Sequence, residues 1–170
     1  MKRICAISFI VTIVLIFFFF VMKLFSANTP PDKYAVQNSF DENKDDFLLI
    51  TSFLQNSRFD DIYISDSGGQ VIADLTSLHI SNDEVCNAIL RLFESGTCMR
   101  INKMDTTISF LQWVGLHDSG CGIIYSENIG ESIEREWLTE VIPLEEENWF
   151  YYISDYNAWR RGERATQENS

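Results

Sequence analysis

The stretch "MRINKMDTTISFLQWVGLHDSGCGIIYS", residues 99–126, decides the fold class. It holds three runs of β-forming residues, 99–103, 106–114 and 120–126, separated by Met104-Asp105 and by the polar turn around His117-Asp118-Ser119. Short β-rich runs with turn residues between them read as an antiparallel meander. Upstream, "RFDDIYIS" (58–65) and "QVIADL" (70–75) flank Asp66-Ser67-Gly68-Gly69. Two glycines supply the positive φ angles that tight hairpins need, so this is a further strand pair. Downstream, "NWFYYIS" (148–154) is the last strand, with Trp149, Tyr151 and Ile153 on one face and Phe150 and Tyr152 on the other. One of those faces must be core, which leaves the opposite one as a contact surface.

Helical signals lie between the strands. Ser39-Phe40-Asp41-Glu42 has the Ser-x-x-Glu spacing of a capping box, and Phe47, Ile50 and Leu54 follow at helical intervals, predicting a helix over Phe40 to Gln55. Ser81-Asn82-Asp83-Glu84 repeats the box, with Ile80 and Val85 placed as a hydrophobic staple. Val85, Ile89, Leu92 and Phe93 form the stripe of this second helix, and Gly96 ends it. Ile133 and Trp137, four apart, suggest a short third helix, and Pro143 ends any element that runs into it. The sum is an α+β domain with helices packed on one face of a mostly antiparallel sheet.

The N-terminal quarter is of another kind. From Ile4 to Met22 every residue is apolar except Ser8 and Thr12. Nineteen helical residues rise about 28 Å, close to the hydrocarbon thickness of a bilayer. Cutting after Ala27 would put Phe25 where a signal peptidase wants a small residue, so the segment reads as an uncleaved anchor. Lys2 and Arg3 before it set the N-terminus inside and the rest of the chain outside. The expected division is a membrane anchor over 1–25, in the bilayer through 4–22; a Pro30-Pro31 linker over 26–38; the α+β domain over 39–156; and a polar tail over 157–170. The chain carries 13 basic and 25 acidic side chains, and without Lys2, Arg3 and Lys23 the balance is −15. Such a surface repels nucleic-acid phosphates and anionic headgroups, and its natural counterparts are cations or a basic partner such as a basic protein. Asp60-Asp61 and Glu145-Glu146-Glu147 are its clearest clusters and the candidate partner-binding residues.

Candidates for chemistry are weak. Ser67 stands in Ser-Asp-Ser-Gly-Gly, one residue from the trypsin-type nucleophile motif, but His79 and His117 both follow it and too little chain precedes it for that fold. The turn explains the glycines. His117 and Cys121 put an imidazole near a thiol, yet residues so close in sequence rarely converge as a catalytic pair. Cys86, Cys98 and Cys121 have no Cys-x-x-Cys spacing, so a structural zinc site is not indicated; they form one bridge at most or remain buried thiols. Asp60, Asp61, Asp66 and Asp74 lack the spacing of an EF-hand loop. No catalytic residue, cofactor or metal site is assigned.

Gly122-Ile123-Ile124-Tyr125-Ser126, Trp137-Leu138, Pro143-Leu144 and Trp149-Phe150-Tyr151-Tyr152 lie within residues 120–154. Together they resemble the C-terminal pattern of small membrane-anchored proteins of Gram-positive, clostridia-like bacteria. The resemblance implies an N-terminal anchor and no particular activity. The expected function is a membrane-tethered, extracytoplasmic, non-catalytic binding protein; the alternative is a small cell-surface hydrolase with a Cys or Ser nucleophile.

Overall fold

Asp32, not Ser39, caps the first helix of the domain: its carboxylate accepts the Ala35 N–H at 2.8 Å. Proline disfavours helical backbone in the residue before it, so the first position after Pro30-Pro31 that can cap is Asp32. The helix therefore begins inside the stretch read as linker. In this computed structural model the described residues are 12–19, 29–66, 71–73, 83–115, 119–128 and 138–156. The chain divides at Pro30 into two units, Met1–Pro30 and Pro31–Ser170. In the first unit residues 12–19 are helical. Among the described residues no helix is long and apolar enough to cross a membrane, so the span expected over 4–22 is not supported by them, and the rest of it lies outside them.

The second unit runs α1 (Lys33–Glu42), α2 (Lys44–Gln55), β1 (Asp61–Asp66), β2 (Val71–Ala73), α3 (Asp83–Glu94), β3 (Arg100–Met104), β4 (Thr107–Val114), β5 (Ser119–Tyr125), β6 (Leu138–Pro143) and β7 (Trp149–Asp155). The one helix expected from Phe40 to Gln55 is two, broken at Asn43 (φ −122°, ψ 21°). Asn43 turns its amide back on the chain, donating from Nδ2 to the Ser39 carbonyl at 2.9 Å. This is the competition by which asparagine interrupts helices. Asp45 and Asp46 then stand in the first turn of α2, where the helix dipole favours them. α3 follows its apolar stripe and its glycine stop, with Val85, Ala88, Ile89, Leu92 and Phe93 buried and Gly96 at φ +73° after its last turn; Ile80, Ser81 and Asn82 of the expected staple and capping box lie outside the described residues.

The seven strands form one sheet in the order β2-β1-β3-β4-β5-β7-β6, every neighbouring pair antiparallel. The meander β3-β4-β5 and the hairpin β1-β2 stand as expected, with Asp66 opposite Val71. The turn at 67–70, the predicted third helix within 131–137 and the tail from 157 lie outside the described residues. Leu138 begins β6, an edge strand not expected, and Pro143 ends it where no neighbour needs its missing N–H.

One face of the sheet meets the helices. Phe40, Phe47, Ile50 and Leu54 from α1 and α2 and Ile89 and Leu92 from α3 bury against Ile64, Ile101, Phe110, Ile123 and Trp149. At its centre Trp149 lies 4.7 Å from Phe40, 5.3 Å from Tyr125 and 5.9 Å from Phe110 between ring centroids. Strand alternation puts Tyr152 on the other face with Leu111, Ile124 and the half-buried Leu138 and Val141. Both faces of β7 are thus buried in part. A β-bulge shifts the β4–β5 register between Leu111 and Trp113. Beside it Gly122 lets the strands approach so closely that a Cβ there would fall 2.0 Å from the Phe110 carbonyl oxygen.

Candidate acidic partner surface

The sheet register brings both acidic clusters to the same end of the sheet. Asp61 begins β1 opposite Met104 at the end of β3; Met104 faces Thr107 at the start of β4; Ile108 faces Tyr125 at the end of β5; Tyr125 faces Trp149 at the start of β7. Pro143, at the end of β6, faces Phe150, so Glu145, Glu146 and Glu147 form the connection at that same end. β1 and β7 are four strand spacings apart, about 19 Å at 4.8 Å each. Asp105 and Glu127, both exposed, lie between. Neither stood out in the sequence, because each is a single acid in a turn and only strand pairing aligns them with the clusters.

The turn Glu145–Asn148 is held in place from several directions. Leu144 N–H donates to the Trp149 carbonyl at 2.9 Å, Trp149 N–H to Glu146 at 3.3 Å, and Asn148 takes φ 68°. Glu145 N–H donates to Oε1 of the buried Gln37 of α1 at 3.0 Å. The Glu146 carboxylate pairs with the Lys44 ammonium at the start of α2. That hydrogen bond raises the Lys44 pKa above its ordinary value; partial burial opposes it, and Glu146, Asp41 and Asp45 add attraction through space. Asp41 and Asp45 therefore belong to the same acidic region. Glu145 and Glu147 are exposed, so these two, with Asp60, Asp61 and Asp105, are the carboxylates most open to a partner.

A second polar group sits at the same end. Tyr125 Oη donates to Glu127 Oε1 at 2.9 Å, and Gln55 Nε2 donates to both, at 3.2 Å and 3.0 Å. Burial first, then the Glu127 hydrogen bond, raises the Tyr125 pKa, so its hydroxyl keeps its proton. Lys103, although basic and close by, is turned inward: its Nζ donates to the Phe59 carbonyl at 2.6 Å and to Ser57. It pins the loop that follows α2, with its side chain buried rather than presented at the surface.

The nucleophile candidates stand elsewhere. Cys121 is fully buried in the core, and burial pushes its thiol up to about 12. Cys98 is likewise pushed up to about 12 by burial. A thiol at that value is protonated at neutral pH and is not a nucleophile. Among the described residues no disulfide joins Cys86, Cys98 and Cys121. Ser67, His79, His117 and Asp74 lie outside the described residues, as does the Asp66 side chain. Among the described residues no three His, Cys, Asp or Glu side chains are grouped to hold a metal ion.

No family model, curated protein or solved structure matches the chain. The likeness of residues 120–154 to small anchored proteins therefore rests on those residues alone, and any reading of function rests on this surface.

Proposed function

We propose that the chain is a membrane-tethered, extracytoplasmic, non-catalytic binding protein whose partner is a basic protein. The partner would be held at the end of the sheet that carries Asp60, Asp61, Asp105, Glu127 and Glu145–Glu147. The observation that carries this reading is the convergence of Asp60-Asp61 and Glu145–Glu147, 84 or more positions apart in sequence, at one end of the sheet, around a turn fixed by Gln37 and Lys44. Preorganised charge of one sign raises association rate and selects partners of the opposite sign. The protonated, enclosed thiol of Cys121 weighs against the alternative of a surface hydrolase with a cysteine nucleophile.

The test uses the full chain in detergent micelles and a fluorescein-labelled oligolysine peptide. At low salt the peptide binds, and Glu145→Lys with Glu147→Lys slows association by about tenfold. Glu146 is left intact because its contact with Lys44 is structural. Raising salt until the Debye length falls to about 8 Å weakens wild-type binding. An association rate indifferent to both the reversal and the salt overturns the reading.

The tether rests on the apolar run from Ile4 to Met22 after Lys2-Arg3. Protease added to intact spheroplasts is expected to remove the C-terminal domain and leave a small membrane-bound fragment. Full protection of the domain would reverse the orientation, and release of the whole chain into the soluble fraction would remove the anchor.

A further inference from the structure

We propose that α1 is a strap that docks together with the acidic turn, so that freeing α1 at its Pro31 end unseats Glu145. The functional half of this inference rests on the partner reading above; the mechanical half does not.

α1 is fastened at separate points along its length. At its start the Tyr151 hydroxyl, from the buried face of β7, donates to the Pro31 carbonyl at 3.0 Å. At its middle the buried Gln37 side chain accepts from Glu145 N–H at 3.0 Å and donates to Asp41 Oδ1 at 2.9 Å. Farther on, Gln112 Nε2 of β4 reaches Ser39 Oγ at 3.3 Å. Only two apolar side chains, Val36 and Phe40, bury from this helix. Ten residues are too few to stay helical alone in water, so α1 is either docked or melted. The break at Asn43 separates it from α2 and provides the hinge about which it can leave without unwinding its neighbour.

Gln37 is what joins the two parts. When α1 leaves, the Glu145 N–H loses its acceptor and the first residue of the turn loses its fixed position. Glu146 is held from the other side of the hinge by Lys44, so the change starts at Glu145 and reaches Trp149, which loses its contact with Phe40 of α1. By linkage the coupling is reciprocal: a ligand that holds the turn in its docked form holds α1 down, and a pull on the chain at Pro31 weakens the ligand. Regions held by few buried contacts are those that open locally below global unfolding, and α1 is such a region.

Amide hydrogen exchange on the full chain in detergent micelles tests this. Tyr151→Phe removes only the hydroxyl that holds Pro31. It is expected to accelerate exchange over residues 33–42 and over 144–149 together, by about fivefold, the equilibrium weight of one hydrogen bond, with residues 100–111 unchanged. Gln37→Met, which keeps the side-chain bulk, is expected to do the same. Faster exchange over 33–42 with 144–149 at wild-type rates, or no change in either segment, overturns the strap. Oligolysine bound to the wild-type chain is expected to slow exchange over 33–42. Binding without that protection also overturns the strap, whereas absence of binding overturns the partner reading and leaves the variants to decide the strap.

Discussion

Gly122→Ala is expected to destabilise the domain severely. The added Cβ would lie 2.0 Å from the Phe110 carbonyl oxygen and 3.0 Å from the Gln112 backbone nitrogen. Both are backbone atoms of β4 at the bulge, and neither can move without breaking the β4–β5 ladder. That ladder lies in the interior of the seven-stranded sheet, so the misfit cannot be relieved at an edge. Overpacking of this kind costs about 3 kcal/mol or more, a large share of the 5 to 15 kcal/mol, roughly, that holds a domain together. Circular dichroism and a urea titration of the full chain in detergent measure it. Gly96→Ala is the control: Gly96 has positive φ but open space around it, and alanine there is expected to cost only about 1 kcal/mol. Equal midpoints for the two variants would mean that the bulge register at Leu111–Trp113 is wrong.

Trp149→Ala is expected to cost about 4 kcal/mol, by loss of apolar burial and by the cavity left behind. Trp149 is 1% exposed and meets Phe40, Phe47, Phe110 and Tyr125, so it joins α1, α2, β4 and β5 in one contact group. Its loss leaves a space that no single neighbour can fill. Trp149→Phe keeps part of the stack and is expected to lie between the wild type and the alanine variant. Tyr34, 77% exposed in the first turn of α1, gives the contrast, since Tyr34→Ala should shift stability by no more than about 0.5 kcal/mol. A urea midpoint for Trp149→Ala close to that of Tyr34→Ala would place Trp149 at the surface and remove the aromatic core.

The order of these effects follows from how each residue is constrained. Trp149 was legible in the sequence as one of two alternating sets in "NWFYYIS", and its set is the one that faces the helices. Gly122 carried no such sign, because a glycine in a β-rich run looks the same whether it faces water or a neighbouring carbonyl. The same limit applies to Ser39: a Ser-x-x-Glu spacing marks a cap only where the backbone before it is not helical, and Asp32 had already begun the helix seven residues earlier.

By itself the sequence determined the α+β class, the meander β3-β4-β5, the hairpin β1-β2, and the buried stripe and glycine stop of α3. Each depends on side-chain period, turn residues and caps that act within a few positions. Only the tertiary structure decided that β6 is an edge strand beside β7, that Cys121 is sealed in the core, and that Asp60-Asp61 and Glu145–Glu147 share one end of the sheet. Those depend on strand order and register across the whole domain. They are fixed by which apolar faces bury together, and no local spacing along the chain encodes that choice.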